Sequence, residues 1–133
     1  MTNVRLIVFC CLCVALCSAT SIFAQKVSTK DSFVQFEPNR IEAYIDSTGF
    51  VQGYITVHNL SETDTLRIPQ ITPSCYCGMS TIMNSFISPK EQGKIYLAVN
   101  TKEFKKPLNT VEYKVYTSFT SKPVKLYFDC KQR

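Results

Sequence analysis

Val111-Glu112-Tyr113-Lys114-Val115-Tyr116-Thr117 alternates, residue by residue, between side chains that avoid water and side chains that accept it. In an extended strand residues two apart share a face, so Val111, Tyr113 and Val115 form one apolar side and Glu112, Lys114 and Tyr116 one polar side. Val124, Leu126 and Phe128 repeat the pattern against Lys125 and Tyr127. Upstream, Ile95, Leu97 and Val99 alternate with Lys94, Tyr96 and Ala98, and Ile55 and Val57 with Tyr54, Thr56 and His58. After the N-terminal leader no segment carries a sustained helical stripe. Strands with one wet and one dry face are those of antiparallel sheets, and two such sheets bury their apolar sides against each other.

Turn-forming clusters separate these runs: Pro38-Asn39, Asp46-Ser47-Thr48-Gly49, Asn59 to Asp64, Ser88 to Gly93, and Ser121-Lys122-Pro123. The spacing predicts strands near 33–37, 41–46, 50–58, 64–71, 79–83, 93–100, 110–119 and 123–130. Seven to eight short strands in this length predict an all-β, antiparallel β-sandwich.

The first residues read as an export signal. Arg5 precedes an uncharged run from Leu6 to Ala19, and Ala24 offers a small-residue cleavage site. That run is too short for a membrane span of roughly 20 residues. The expectation is a signal peptide over 1–24, one domain over 25–133, no transmembrane span in the mature chain, and residence in the periplasm or at the cell surface. Lipidation at Cys17 is disfavoured because Leu16 stands where a small residue is wanted. Removing Arg5 with the leader leaves fourteen basic against ten acidic residues. The excess gathers in the last third and suits an anionic envelope surface, though lysines spread along strands also serve simply as solvated faces.

Val57-His58-Asn59, Leu66-Arg67-Ile68, Ser74-Cys75-Tyr76-Cys77 and Ile87-Ser88-Pro89-Lys90-Glu91-Gln92-Gly93-Lys94-Ile95 follow one another in an order that resembles the DUF1573 family. The resemblance covers roughly residues 36–129. It implies an exported immunoglobulin-like domain, related in fold to the major-sperm-protein and ASH/hydin-like domains, and it implies no activity. Tyr76 replaces the central Gly of the family's Cys-Gly-Cys-Thr element, with Gly78 one place later, and Lys90 replaces the Gly of its Pro-Gly turn.

Loss of the leader discards Cys10, Cys11, Cys13 and Cys17 and leaves Cys75, Cys77 and Cys130. At most one intramolecular disulfide forms among three cysteines, so the core must hold the domain. In an extended strand the Cys75 and Cys77 α-carbons would stand about 6.5–7 Å apart, at the limit of about 6.8 Å for a bridge. A Cys75–Cys77 bond therefore needs a kink, which Pro73 or Gly78 can help supply, and a bond so formed is easily reduced, which makes the pair a candidate redox couple. Pairing of either with Cys130, or three thiols packed as small hydrophobes, are the structural alternatives. Cys75, Cys77 and Met79 also form a soft-ligand set suited to Cu(I), although a Met in a sandwich is more often core.

No enzyme is expected. His58 is the only histidine, and four glycines include no phosphate-binding loop. No other cofactor is expected, nor is nucleic acid, since the chain has no basic block. Asn59-Leu60-Ser61 reads as a strand end whose Asn bonds its own backbone. Tyr96, Tyr116 and Tyr127 share the polar sides of their strands with Lys94, Lys114 and Lys125. The candidate interaction residues are Tyr96, Lys114, Tyr116, Lys125 and Tyr127, facing a protein or an envelope glycan, since tyrosines supply large, rigid contact area. Cross-strand packing of lysine stems over the rings is the plainer account.

Overall fold

A computed structural model of the protein describes residues 33–133 and turns the alternating segments into two packed sheets. The expected signal peptide, Cys17 and residues 25–32 lie outside the described residues. The strands are β1 (Val34–Glu37), β2 (Arg40–Tyr44), β3 (Phe50–Asn59), β4 (Leu66–Arg67), β5 (Gln70–Pro73), β6 (Gly78–Ile82), β7 (Phe86–Ile87), β8 (Gln92–Asn100), β9 (Leu108–Tyr116) and β10 (Val124–Lys131). One sheet runs β1-β3-β8-β6 and is antiparallel throughout; the other runs β2-β10-β9-β5, with β2 parallel to β10. We call them the first and second sheet.

The inward residues are those the alternation selects. Val51, Ile55, Val57, Ile95, Leu97 and Val99 of the first sheet meet Val111, Tyr113, Val115, Leu126, Phe128 and Cys130 of the second, all buried. Tyr113 crosses this layer. Its hydroxyl donates to the Ala98 carbonyl at 2.8 Å, inside the opposite sheet, which satisfies a buried polar group that would otherwise cost stability.

The expected strand over 64–71 is two strands. Pro69 has no N–H to give to a ladder, and the chain changes partners there. Leu66–Arg67 pairs with Phe86–Ile87 in a small third sheet, whereas Gln70–Pro73 pairs with β9. The two open sides of the sandwich are each bridged by a chain that changes sheet. On one side β1 passes into β2 through the cis Glu37–Pro38 peptide; on the other, β5 passes into β6 through residues 74–77.

Asn59 ends β3 with its side chain buried. Its amide nitrogen lies 2.8 Å from the Asp64 carbonyl and 2.9 Å from that of Ile87, and its Oδ1 accepts from the Ser61 N–H at 3.0 Å. The side chain thus fastens the following loop to β7. Lys90 takes a φ of 62° in the turn before β8, the left-handed region that glycine enters without cost.

Asp129 is the buried acid of the second sheet. Arg40 Nη1 reaches its Oδ2 at 2.5 Å from β2, and Thr110 donates to its Oδ1 at 2.7 Å from β9. Burial alone would raise this carboxyl, but the Thr110 and Arg40 hydrogen bonds outweigh it and hold the pKa below its usual value. A depressed carboxyl stabilises the fold above the unfolded-state pKa, and that contribution disappears as the pH falls through the folded value. Asp129→Asn should therefore be less stable than the wild type near neutrality. The gap, followed by urea unfolding, should close steadily below pH 4.

Candidate functional site

With one side of every long strand committed to the core, chemistry is left to outer faces, edges and turns. The cysteine turn is the most distinctive. Pro73 ends β5, the Ser74 N–H donates to the Glu112 carbonyl at 2.8 Å, and the Gly78 N–H returns to the Cys75 carbonyl at 3.2 Å. This reversal brings the Cys75 and Cys77 α-carbons to 5.1 Å, and the two are joined by a disulfide. The kink that a bridge requires is thus present. Gly78 makes it fit: a β-carbon there would lie 2.6 Å from Pro73 Cβ and 3.0 Å from the Tyr113 hydroxyl. Both sulfur-bearing residues pack partly against the core, and Tyr76 between them is fully exposed.

Shallow depressions flank Tyr76. Thr72, Pro73, Ser74 and Gly78 line one; Asn100, Lys102, Glu103 and Phe104 line the other. In the sequence Tyr76 stands out only as a replacement for Gly. Its exposure follows from a tight loop with both neighbours turned inward.

Cys130 is a free thiol and fully buried, opposite Ala43 and Asn109 in its sheet, and it does not join the 75–77 pair. Burial, with the Asp129 carboxylate beside it, pushes its pKa up to about 11, so it stays protonated and unreactive at neutral pH. The soft-metal set is not assembled in this state. Cys75 and Cys77 bond to each other and offer no thiolate, and Met79 stands 46% exposed on the outer face of β6. Met79 in β6 and Met83 just beyond it are both outside the core, because their parity turns them to the outer face of the first sheet, while Ile82 beside Met83 turns inward. Among the described residues no three His, Cys, Asp or Glu side chains approach closely enough to hold a metal ion.

His58 is half-buried on the outer face of β3, with Nε2 3.5 Å from Glu37 Oε2. The buried, doubly anchored Asn59 offers no free amide.

The five candidate interaction residues do not share a surface. Tyr96 lies on the outer face of the first sheet, its ring 5.3 Å from that of Tyr54 and its hydroxyl 2.6 Å from Gln52 Oε1. Lys114, Tyr116, Lys125 and Tyr127 lie on the outer face of the second sheet. There Lys114 stands directly opposite Lys125, and Glu112 opposite Tyr127. Lys125 Nζ is 3.2 Å from Glu112 Oε2, whereas Lys114 has no ion-pair partner among the described residues. Tyr127 is half-buried beneath the Arg40 guanidinium, 4.6 Å from its ring centre. Tyr116 remains 39% exposed. The polar-side parity was legible in the sequence; which sheet each strand joins was not.

No family model and no curated protein sequence matches the chain. Solved structures do share its fold. A Porphyromonas gingivalis W83 protein of unknown function superposes with a TM-score of 0.64 at 10% identity, over 74% of this chain and 46% of that one. The Vibrio cholerae VesB protease gives 0.58 at 14% identity, over 82% of this chain and 35% of its own. PapD-like domain 7 of human CEP192, an ASH/PapD-like domain, gives 0.53 at 8% identity, over 76% and 85%. The chain spans less than half the length of the first two. Among the described residues no helix is long and apolar enough to cross a membrane. At these identities the likeness is one of fold alone, and the fold is an all-β, immunoglobulin-like β-sandwich.

Proposed function

We propose that the protein is a non-catalytic binding module of the bacterial cell envelope, and that the outer face of its second sheet takes an anionic glycan. The observation that carries this reading is the Lys114–Lys125 pair. Like charges directly opposite on neighbouring strands destabilise a sheet, and Glu112 neutralises only one of the two. A carboxylate- or phosphate-bearing ligand would relieve the other. Tyr116 is the next residue on that face beyond Lys114, and it offers a flat apolar surface to a sugar ring. The expected export signal, and the basic chain its removal would leave, agree with a ligand of the envelope. Lys114→Ala with Tyr116→Ala should weaken retention on purified cell-wall glycan about tenfold and flatten its salt dependence, with thermal stability kept. Undiminished retention would exclude this face.

The disulfide favours a second reading, a thiol–disulfide couple. Closing so short a loop stabilises a chain by only about 1.5 kcal/mol on entropic grounds, little for a domain with this core. A partner dithiol would attack one sulfur, displace the other as a thiolate, and be oxidised as its second thiol resolves the mixed disulfide. On this reading dithiothreitol opens Cys75–Cys77 with the domain still folded, as judged by mass after alkylation and by circular dichroism. Unfolding on reduction would make the bond a structural staple instead.

A further inference from the structure

We propose that β6 pairs with β6 of a second copy of this chain, joining the two first sheets into one continuous sheet. The inference rests on the edges. Four strands end the two sheets: β1, β6, β2 and β5. Natural edges are blocked by charge or proline, which stop another strand from adding. β2 carries Arg40 and Glu42, β5 follows Pro69 and ends in Pro73, and β1 carries Glu37 and runs into Pro38. β6, Gly78-Met79-Ser80-Thr81-Ile82, has neither.

Its backbone is also free to pair. The Asn100 N–H donates to the Cys77 carbonyl at 2.8 Å and the Met83 N–H to the Lys94 carbonyl at 3.0 Å. These bonds fix which residues of β6 face β8, because an antiparallel ladder alternates. Cys77, Met79, Thr81 and Met83 bond inward to the sheet, so the backbone groups of Gly78, Ser80 and Ile82 point away from it. The Gly78 N–H is taken by the Cys75 carbonyl. The Gly78 carbonyl and both groups of Ser80 and Ile82 meet no partner among the described residues.

A second copy answers that pattern. About a two-fold axis at Ser80, the two Ser80 residues exchange N–H and C=O, and each Ile82 N–H meets the other copy's Gly78 carbonyl. Each Gly78 N–H stays with its own Cys75 carbonyl, so this outer pair makes one bond in place of two and each Ile82 carbonyl is left to water. On the outer face Met79 of one copy packs beside Thr81 of the other. No charge opposes itself, whereas the same operation on β2 would set Glu42 against Glu42. Tyr54, Met79 and Met83, each about half exposed, lie on the face this extended sheet would share, so pairing adds apolar contact to backbone bonds.

Sedimentation equilibrium on protein purified from cells expressing the full chain tests this. The wild type should show a monomer–dimer equilibrium. Met79→Lys with Thr81→Lys sets lysine opposite lysine twice and should weaken the dimer about tenfold. Met79→Glu with Thr81→Lys sets opposite charges in the same register and should restore it. Both positions point outward, and circular dichroism confirms that each variant folds. In the wild type, the Ser80 and Ile82 amides should also lose hydrogen-exchange protection on dilution. A wild type that stays monomeric, or a dimer indifferent to both variants, would overturn the pairing. So would a monomer whose β6 binds only an added extended peptide, which would give the edge to another protein.

Discussion

The structure depends on one buried tyrosine that crosses the sandwich. Tyr113 belongs to β9, yet its hydroxyl donates to the carbonyl of Ala98 in β8, the residue that Met79 of β6 stands opposite in the first sheet. Sheet packing is otherwise non-directional, since apolar area does not dictate register. A single polar contact in a dry layer does, because an unpaired hydroxyl or carbonyl there costs about 1–3 kcal/mol. Burial pushes the Tyr113 phenol far above its ordinary pKa, so it acts as a neutral donor across the accessible pH range.

The position of Tyr113 explains the neighbourhood of the cysteines. Its ring and Pro73 occupy the space that a side chain at residue 78 would need. Gly78 is therefore required where β6 begins, and the preceding residues must reverse within a few positions to reach it. The reversal draws Cys75 and Cys77 together, projects Tyr76, and leaves β6 at the edge of its sheet. Two surfaces follow from one packing decision: a clamped aromatic tip and an uncharged strand with one open edge.

Much of this was legible in the sequence. Alternation at 93–100, 110–119 and 123–130 located the long strands because each buries a complete apolar side. The Asn59 strand end and the inward parity of Cys130 were legible for the same reason. Short-range punctuation was harder. Pro69 divides 64–71, and the Phe86–Ile87 strand exists only because Leu66–Arg67 lies beside it. Sheet membership was not legible at all. Tyr96 and Tyr116 have the same local pattern, yet crossover connections put them on opposite outer faces. Lys90 shows the limit of turn rules, since it adopts a glycine-like φ of 62°, where its N–H donates to Ser61 and the Glu91 N–H to Ser88.

The most direct test of this account is residue-resolved hydrogen exchange on the wild type and Tyr113→Phe. Removing only the hydroxyl should lower protection selectively at Met79 and Thr81 in β6 and at their β8 partners, with β3 and β10 changed only by the modest global loss, about 1 kcal/mol. Uniform loss across both sheets, or unchanged protection at β6, would contradict the claim that this one contact places the strand and the turn before it.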